Sequence, residues 1–519
     1  MRKAMLAFAS LVSALGCAQF PGGALAAVTR FDISSKTPYG AFKPGDYSRW
    51  DAIVTGELSP AAETIADLDK APRNARGMVE YKTRVTLLAP SDPARGNGAL
   101  LIDVPNRSRA ISQSLYNSPR QTLVPLGSLD EGTGFLQNHG YATAVVYWEL
   151  GEGVSLPAFT GADGQARSIE GAAFAIVRDV ADFLAHAPAD GAGQRNPLAG
   201  AINRTLALGY SQTGRFLKSF LLQGFNAVEG RRVFAGMHIL GAAGGQIVLR
   251  SVPGAASGAG VTPTFANPEV RGVNEEPLAL GDLVQKANLR ADTAPRMVFV
   301  NTTTDYFSLR SSLGRSGGAG VQEQPIPENL RVYDIAGGSH ALAAGPSTCK
   351  YPYAVLDWHP LMRSTLLALD RWVAANTPPP PNELMPLRAA APDAMALKAP
   401  AHLPQAVIQV PILDADGNAT GGVRLPDMAA PLGTHAAQNP PLSFLCALAA
   451  GYVEFAKTKK ERTAAHDARL SLAERYKNRS DYSNRIRAAA QELERKGLLL
   501  HDDADVIVQA AAVNTALKP

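Results

Sequence analysis

Arg204-Thr205-Leu206-Ala207-Leu208-Gly209-Tyr210-Ser211-Gln212-Thr213-Gly214-Arg215-Phe216-Leu217-Lys218-Ser219-Phe220-Leu221 joins a short apolar run to an amphipathic one. Thr205 to Leu208 reads as a strand. Phe216, Leu217, Phe220 and Leu221 share one side of a helix predicted over Gly214 to Phe225. The turn between them, Gly209-Tyr210-Ser211-Gln212-Thr213-Gly214, reads as an elbow of the G-x-S-x-G kind, with small residues before and after the serine. Such a turn lifts the serine Oγ clear of a sheet. The N–H groups of the following helix favour negative charge developing there. A tight turn without chemistry is the plain alternative, so context must decide. Gly314-Arg315-Ser316-Gly317-Gly318 also fits the five-residue pattern, but nothing strand-like precedes it and Gly-Ala-Gly follows, which predicts a flexible loop.

Outward from Ser211 the chain alternates. Ala99 to Val104 and Tyr141 to Trp148 are apolar runs of the length that suits strands covered on both faces. Ser168 to His186 is predicted helical, with Ile176, Val180, Phe183 and Leu184 on one face. Val233 to Leu240, Met297 to Asn301 and Leu330 to Ile335 read as further strands. Leu361 to Ala375 reads as a helix, stopped by Thr377 and four prolines. Alternating strands and helices imply a mainly parallel sheet with right-handed crossovers. Residues 27–95 predict a β-rich decoration, with Val79 to Leu88 strand-like. The core is expected over 96–380, with a cap-like insertion at 245–290. Residues 381–519 predict a hairpin and a helical extension, with Ser480 and Gly497 capping one helix. Asp414-Ala415-Asp416-Gly417-Asn418 superficially resembles a calcium loop. Its glycine comes one place early and Leu425 stands where a bidentate Glu belongs, so a hairpin turn is expected.

A serine hydroxyl needs an adjacent base to act as a nucleophile. In the α/β-hydrolase arrangement the partners follow in the order Ser, Asp or Glu, His. Among the downstream histidines His340 stands out, because Gly337-Gly338-Ser339-His340 forms a flexible turn just after the last strand. Asp305 follows the strand Met297 to Asn301 and could hold the His340 ring in the useful tautomer, with Glu275, Glu276 and Asp282 as competitors. A loop-capping role is the alternative for Asp305. An oxyanion hole would take the backbone N–H of Gln212. A second N–H would come from Pro105-Asn106-Arg107-Ser108; proline has none, which leaves Asn106 or Arg107.

Arg2 and Lys3, the apolar stretch Ala4 to Gly16 and the small residues of Ala24-Leu25-Ala26 predict a signal peptide over residues 1–26, hence a periplasmic or secreted protein. Cys17 invites a lipid anchor, but Ala14-Leu15-Gly16 lacks the branched residue such a site carries. Removing the leader leaves Cys349 and Cys446, a pair expected to form a disulfide in an oxidising compartment. The net charge is +4 with no run of five like charges, which gives nucleic-acid binding no electrostatic support. No membrane span is expected beyond the leader. No G-x-x-x-x-G-K-[ST], strand-linked G-x-G-x-x-G or H-E-x-x-H occurs, so neither cofactor nor metal is expected.

The motifs together resemble the bacterial exported alpha/beta hydrolase domain-containing proteins, from about residue 30 to the end. The resemblance rests on Asp67-Leu68-Asp69-Lys70-Ala71-Pro72-Arg73-Asn74, Val104-Pro105-Asn106-Arg107 and Gly209-Tyr210-Ser211-Gln212-Thr213-Gly214-Arg215. It rests equally on Gly338-Ser339-His340-Ala341, Ala368-Leu369-Asp370-Arg371-Trp372, Asp414-Ala415-Asp416-Gly417-Asn418 and Arg424-Leu425-Pro426. Ser108 stands where the family pattern has glycine. The resemblance implies an α/β-hydrolase fold and a serine triad containing Ser211 and His340, without naming a substrate. The expected activity is hydrolysis of a small-molecule carboxylic ester through an acyl-enzyme. An amidase or peptidase with the same triad, and a non-catalytic binding protein on this fold, are the alternatives.

Overall fold

The computed structural model describes residues 28–517 except 248, 250, 254–275, 288–292, 318–320, 392–407 and 442. The predicted leader and most of the 245–290 insertion lie outside the described residues. The main strands are β1 (Val28–Phe42), β2 (Gly45–Leu58), β3 (Val79–Pro90), β4 (Ala99–Asp103), β5 (Ala142–Val146), β6 (Arg204–Tyr210), β7 (Gly236–Leu240), β8 (Arg296–Thr302) and β9 (Leu330–Ile335). They lie in the order β1-β2-β3-β5-β4-β6-β7-β8-β9, and the short strand Val154–Ser155 adds to β3. The pairs from β1 through β3 to β5 are antiparallel. From β5 onward every pair is parallel. The N-terminal strands therefore extend the central sheet rather than stand apart from it.

Successive side chains of a strand point to opposite faces, and here both faces are buried. Leu100 and Ile102 of β4, Ala207 of β6, Ile239 of β7 and Phe299 of β8 enter one core. Leu101, Leu208, Leu240 and Val300 from the same strands enter the other. The main helices are α1 (Ala172–His186), α2 (Gln212–Leu222), α3 (Thr303–Ser308), α4 (His359–Ala375), α5 (Arg479–Lys496) and α6 (His501–Ala512). Helices α1 and α2 cover the first core with Phe174, Val177, Phe216 and Phe220. Helix α4 covers the second with Leu361, Leu366 and Leu369, and α5 and α6 add Ile486, Ala490 and Ile507. Phe216 is fully buried between Trp148 and Phe174. Truncating it to Ala would cost about 3–5 kcal/mol.

Some boundaries differ from expectation. Helix α1 starts at Ala172, because Ala166–Ile169 is a strand edged by Phe159–Thr160 and Ser251–Pro253. Helix α5 is capped by Asn478, whose side chain accepts the Asp481 N–H; Ser480 lies inside its first turn, and Gly497 takes the left-handed C′ conformation as expected. The C-terminal region is not wholly helical, since Gly451–Glu454 pairs with Gly433–Ala436. The 414–418 segment is a hairpin turn. Leu413 and Ala419 bridge across it, Asp414 Oδ1 accepts the N–H groups of Asp416 and Asn418, and Gly417 has φ 79°.

Candidate active site

Strand β6 ends at Tyr210 and α2 begins at Gln212, so Ser211 alone makes the turn. Its φ of 56° and ψ of −111° form a conformation that residues with a side chain seldom hold. The turn is pinned on both sides. Ser211 N–H donates to Leu240 O of β7 at 2.8 Å. Tyr210 N–H donates to the Thr213 hydroxyl at 3.0 Å, and that hydroxyl donates back to Tyr210 O at 3.2 Å. Thr213 thus stands where the strict motif has its second glycine, and holds the turn by its side chain. The close approaches fall elsewhere. A Cβ on Gly209 would meet Thr213 O at 2.6 Å, and one on Gly214 would meet Ala242 Cβ at 2.9 Å.

His340 and Asp305 reach Ser211 from the ends of β9 and β8. His340 Nε2 lies 2.9 Å from Ser211 Oγ, and His340 Nδ1 lies 2.5 Å from Asp305 Oδ1. His340 is 3% exposed and Asp305 fully buried, so water competes little for either contact. Asp305 has a second task. Its Oδ2 accepts the Thr302 N–H at 2.6 Å while its own N–H donates to the Thr302 hydroxyl, a capping box that starts α3. The capping role and the contact with His340 are served by different oxygens of one carboxylate.

The turn that carries His340 is fastened to the same helix. Thr303 Oγ1 accepts the Gly337 N–H and donates to Ile335 O, and Thr304 N–H donates to Gly338 O. Tyr210 stacks on the His340 ring with centroids 5.1 Å apart, and its hydroxyl donates to His340 O at 2.6 Å. Trp358 Nε1 donates to Ser339 O. Gly241, just after β7, has φ +60°. A Cβ there would stand 2.8 Å from His340 Nδ1 and 3.4 Å from Asp305 Oδ1.

Around the expected oxyanion position, Asn106 N–H donates to Arg109 O within its own turn, which removes it as an available donor. Arg107 N–H donates to Gln212 Oε1 at 3.2 Å. Gln212 Nε2 in turn donates to Glu149 Oε1, and Ser108 Oγ donates to Glu149 Oε2. Burial pushes the Glu149 carboxyl up from its usual range. The guanidinium groups of Arg107, Arg215 and Arg310 add positive charge nearby. Burial, and then Arg107 and Arg310, push Arg215 down to about 9. Lys218 is fully buried on α2, held down to about 7 by burial and then by Arg215. Its Nζ donates to Ala243 O and Gly245 O, which ties the loop after β7 to α2.

Sequence reasoning missed Glu149, Tyr210, Gly241 and Lys218. The signal for Glu149 was a carboxylate directly after an apolar strand; that for Gly241 was a glycine in the same place. The carboxylate on His340 Nδ1 is that of Asp305; of its competitors, Glu275 lies outside the described residues. Ser316, expected in a flexible loop, instead ends the helical turn Leu313–Ser316. It is buried, and its hydroxyl donates to Ser312 O. Cys349 and Cys446 are joined, as expected. Among the described residues no group of three His, Cys, Asp or Glu side chains is placed to hold a metal ion, and no helix is long and apolar enough to cross a membrane.

The model of the alpha/beta hydrolase domain family matches residues 138–509, most of the chain. The chain belongs to the alpha/beta hydrolase domain family. The match runs past 380 into the C-terminal helices, so this hydrolase shares more with its family than the expected core. No curated protein matches it. Among solved structures, the hydrolase is similar to a glucuronoyl esterase from Solibacter usitatus, at 13% identity and a TM-score of 0.29, over 59% of this chain and 80% of that one. It is similar to the rice cell wall degrading esterase LipA from Xanthomonas oryzae, at 12% identity and a TM-score of 0.26, over 54% and 83%. A third is the S-formylglutathione hydrolase of Staphylococcus aureus, at 12% identity and a TM-score of 0.24, over 49% and 80%.

Proposed function

We propose that the protein is an exported carboxylic ester hydrolase working through an acyl-enzyme, with Ser211 as nucleophile, His340 as base and Asp305 as the acid that orients it. The observation that carries this reading is the relay from Ser211 Oγ through His340 to Asp305, at 2.9 and 2.5 Å. With Nδ1–H donated to Asp305, Nε2 is free to accept the serine proton. Ser211 Oγ then bonds to the ester carbonyl carbon, and the carbonyl oxygen takes the charge. His340 returns the proton to the departing alcohol oxygen. Water, deprotonated by His340, releases the acid and restores the serine.

The developing oxyanion is assigned to the N–H of Gln212, at the start of α2, together with the N–H of Arg107. Gln212 Oε1 now takes the Arg107 N–H, so the substrate oxygen replaces it. Glu149 holds the Gln212 side chain on the far side and sets how it yields. Export is supported by the basic and apolar character of residues 1–26 and by the Cys349–Cys446 bond, which is at home in an oxidising compartment. The substrate is assigned as a small-molecule ester.

Fluorophosphonate labelling, with mass spectrometry to locate the adduct, tests the reading. An adduct on Ser211 is expected, absent in Ser211→Ala and formed far more slowly in His340→Ala. No adduct on folded protein would leave a binding protein on this fold. A matched panel of esters and amides would separate esterase from amidase.

A further inference from the structure

Tyr210 is the last residue of β6, and its backbone is held from three directions. It pairs with Leu240 of β7. Its N–H donates to the Thr213 hydroxyl at 3.0 Å, and its carbonyl accepts the Asn106 side-chain amide at 2.8 Å. With the backbone fixed, strand alternation sends the ring to the same face as Leu208, into the second core. There it meets His340. The two rings lie 5.1 Å apart between centroids and 25° from parallel, so they present faces to each other. The Tyr210 hydroxyl donates to His340 O at 2.6 Å. Burial, and then the Asp305 carboxylate, push that hydroxyl up from its usual range, which keeps it a donor. The phenol is thus fastened at both ends, and one end is fastened to the residue whose ring it covers.

The imidazole spends both nitrogens in its own plane, Nδ1 on Asp305 and Nε2 on Ser211. A face is what it offers to Tyr210. The charged groups around this pair come from other directions. Asp305 meets the ring edge from α3, and Arg109, in the turn after β4, acts on the Tyr210 hydroxyl. Gly241 of the β7 turn brings no side chain. His435 packs against Gly337 below the turn, pushed down to about 4 by burial and therefore neutral near pH 7.

We propose, on the triad reading above, that Tyr210 is a positioning residue for the base, and that its ring face holds the His340 imidazolium formed while Ser211 attacks. The face of an aromatic ring is electron-rich and attracts a cation within roughly 6 Å of its centroid. Neutral imidazole gains less from the same contact. The contact therefore strengthens as His340 takes the serine proton, and an interaction stronger in the transition state than in the resting enzyme raises the rate. Asp305 serves the same cation at its edge. Tyr210 serves it from the face and competes for neither nitrogen.

Packing alone would also place an aromatic ring beside a histidine, but packing depends on shape and this role depends on the electrons of the face. The test keeps the shape and changes the electrons. Tyr210→Phe removes the hydroxyl and keeps an electron-rich face. Tyr210→pentafluorophenylalanine has nearly the same size, with the charge on the face reversed. The acid limb of kcat/KM on a p-nitrophenyl ester reports the base in the free enzyme. The fluorinated protein is expected to show that limb about 0.7 pH unit below Tyr210→Phe, with kcat about fivefold lower. Coincident acid limbs in the two variants would overturn the proposal. If the fluorinated protein does not fold, Tyr210→Leu, which has no ring face, is expected to show the same downward shift from Tyr210→Phe, and its absence would overturn the proposal equally. Fluorophosphonate labelling of the same samples reports on the triad separately. Labelled Ser211 with coincident acid limbs leaves the hydrolase reading standing and removes Tyr210 from it, whereas folded wild type without an adduct removes both.

Discussion

Gly241 faces the His340 ring so closely that a methyl group on it would stand 2.8 Å from Nδ1 and 2.9 Å from Cε1. Its φ of +60° also disfavours any side chain. The Gly241→Ala variant is expected to push the imidazole off its line between Ser211 and Asp305. A displacement near 1 Å is worth about 100-fold in rate. The expected outcome is a loss of that size in kcat/KM on a p-nitrophenyl ester, with slower fluorophosphonate labelling. Unchanged labelling would mean that the ring has room to spare.

Asp305 makes two contacts that substitution can separate, one with His340 and one with the Thr302 N–H. Asn retains an oxygen that can accept the Thr302 N–H, so Asp305→Asn is expected to keep most of the α3 cap. It permits the wrong His340 tautomer, and kcat is expected to fall about 10⁴-fold. Asp305→Ala loses the cap as well, at a further cost of about 1 kcal/mol in stability. Urea melts of the two variants beside their kcat values check this. Equal stabilities would remove the capping role.

The Cys349–Cys446 bond closes 97 residues of chain. Chain entropy puts its contribution at about 4.7 kcal/mol. Replacing both cysteines with Ser is expected to lower Tm by about 4 °C. Reduction of the wild type is expected to match it. The stitches from Thr303 and Thr304 to Gly337 and Gly338 remain, so kcat/KM at 25 °C is expected to change little. A collapse of activity without a change in Tm would assign the disulfide to the site instead.

Asp103, at the end of β4, is fully buried and pushed up to about 6 by burial, against the opposing pull of the Ser112 and Ile111 N–H groups. A carboxyl with pKa about 3.9 in the unfolded chain and about 6 when folded binds its proton more tightly in the native state. Its ionisation therefore costs stability on the order of 3 kcal/mol as pH rises from about 4 to about 6, and the penalty is constant above that. Asp103→Asn cannot ionise. Its Tm relative to wild type is expected to climb across that pH window. A flat difference would show that Asp103 ionises equally easily in both states.

The meeting of Ser211, Asp305 and His340 was legible in the sequence because each follows its strand within a few residues, and chain order sets which strand ends beside which. The sheet was legible for a similar reason: buried parallel strands are short apolar runs whatever surrounds them. The N–H of Asn106 was not, because a turn of two left-handed residues, Arg107 and Ser108, folds it back onto Arg109. Nor could the sequence place Lys218, which looks like an ordinary cation on an amphipathic helix until the loop after β7 offers it two carbonyls. Tyr210 reads as part of an apolar strand; its contact with His340 spans 130 residues. Ser316 matched the elbow pattern in letters alone, since a pattern of five residues carries no information about the strand that must precede it.

The loop beyond His340 is anchored far downstream. Ala341 N–H donates to Leu448 O, Ala354 N–H donates to Ala449 O, and the Ser308 hydroxyl of α3 donates to Ala447 O. On the ribosome, the proposed nucleophile, acid and base have all emerged more than 100 residues before these three carbonyls exist. The loop beyond the proposed base is therefore among the last parts of the molecule to be secured, and a chain still being made holds every reacting group before that loop is fastened.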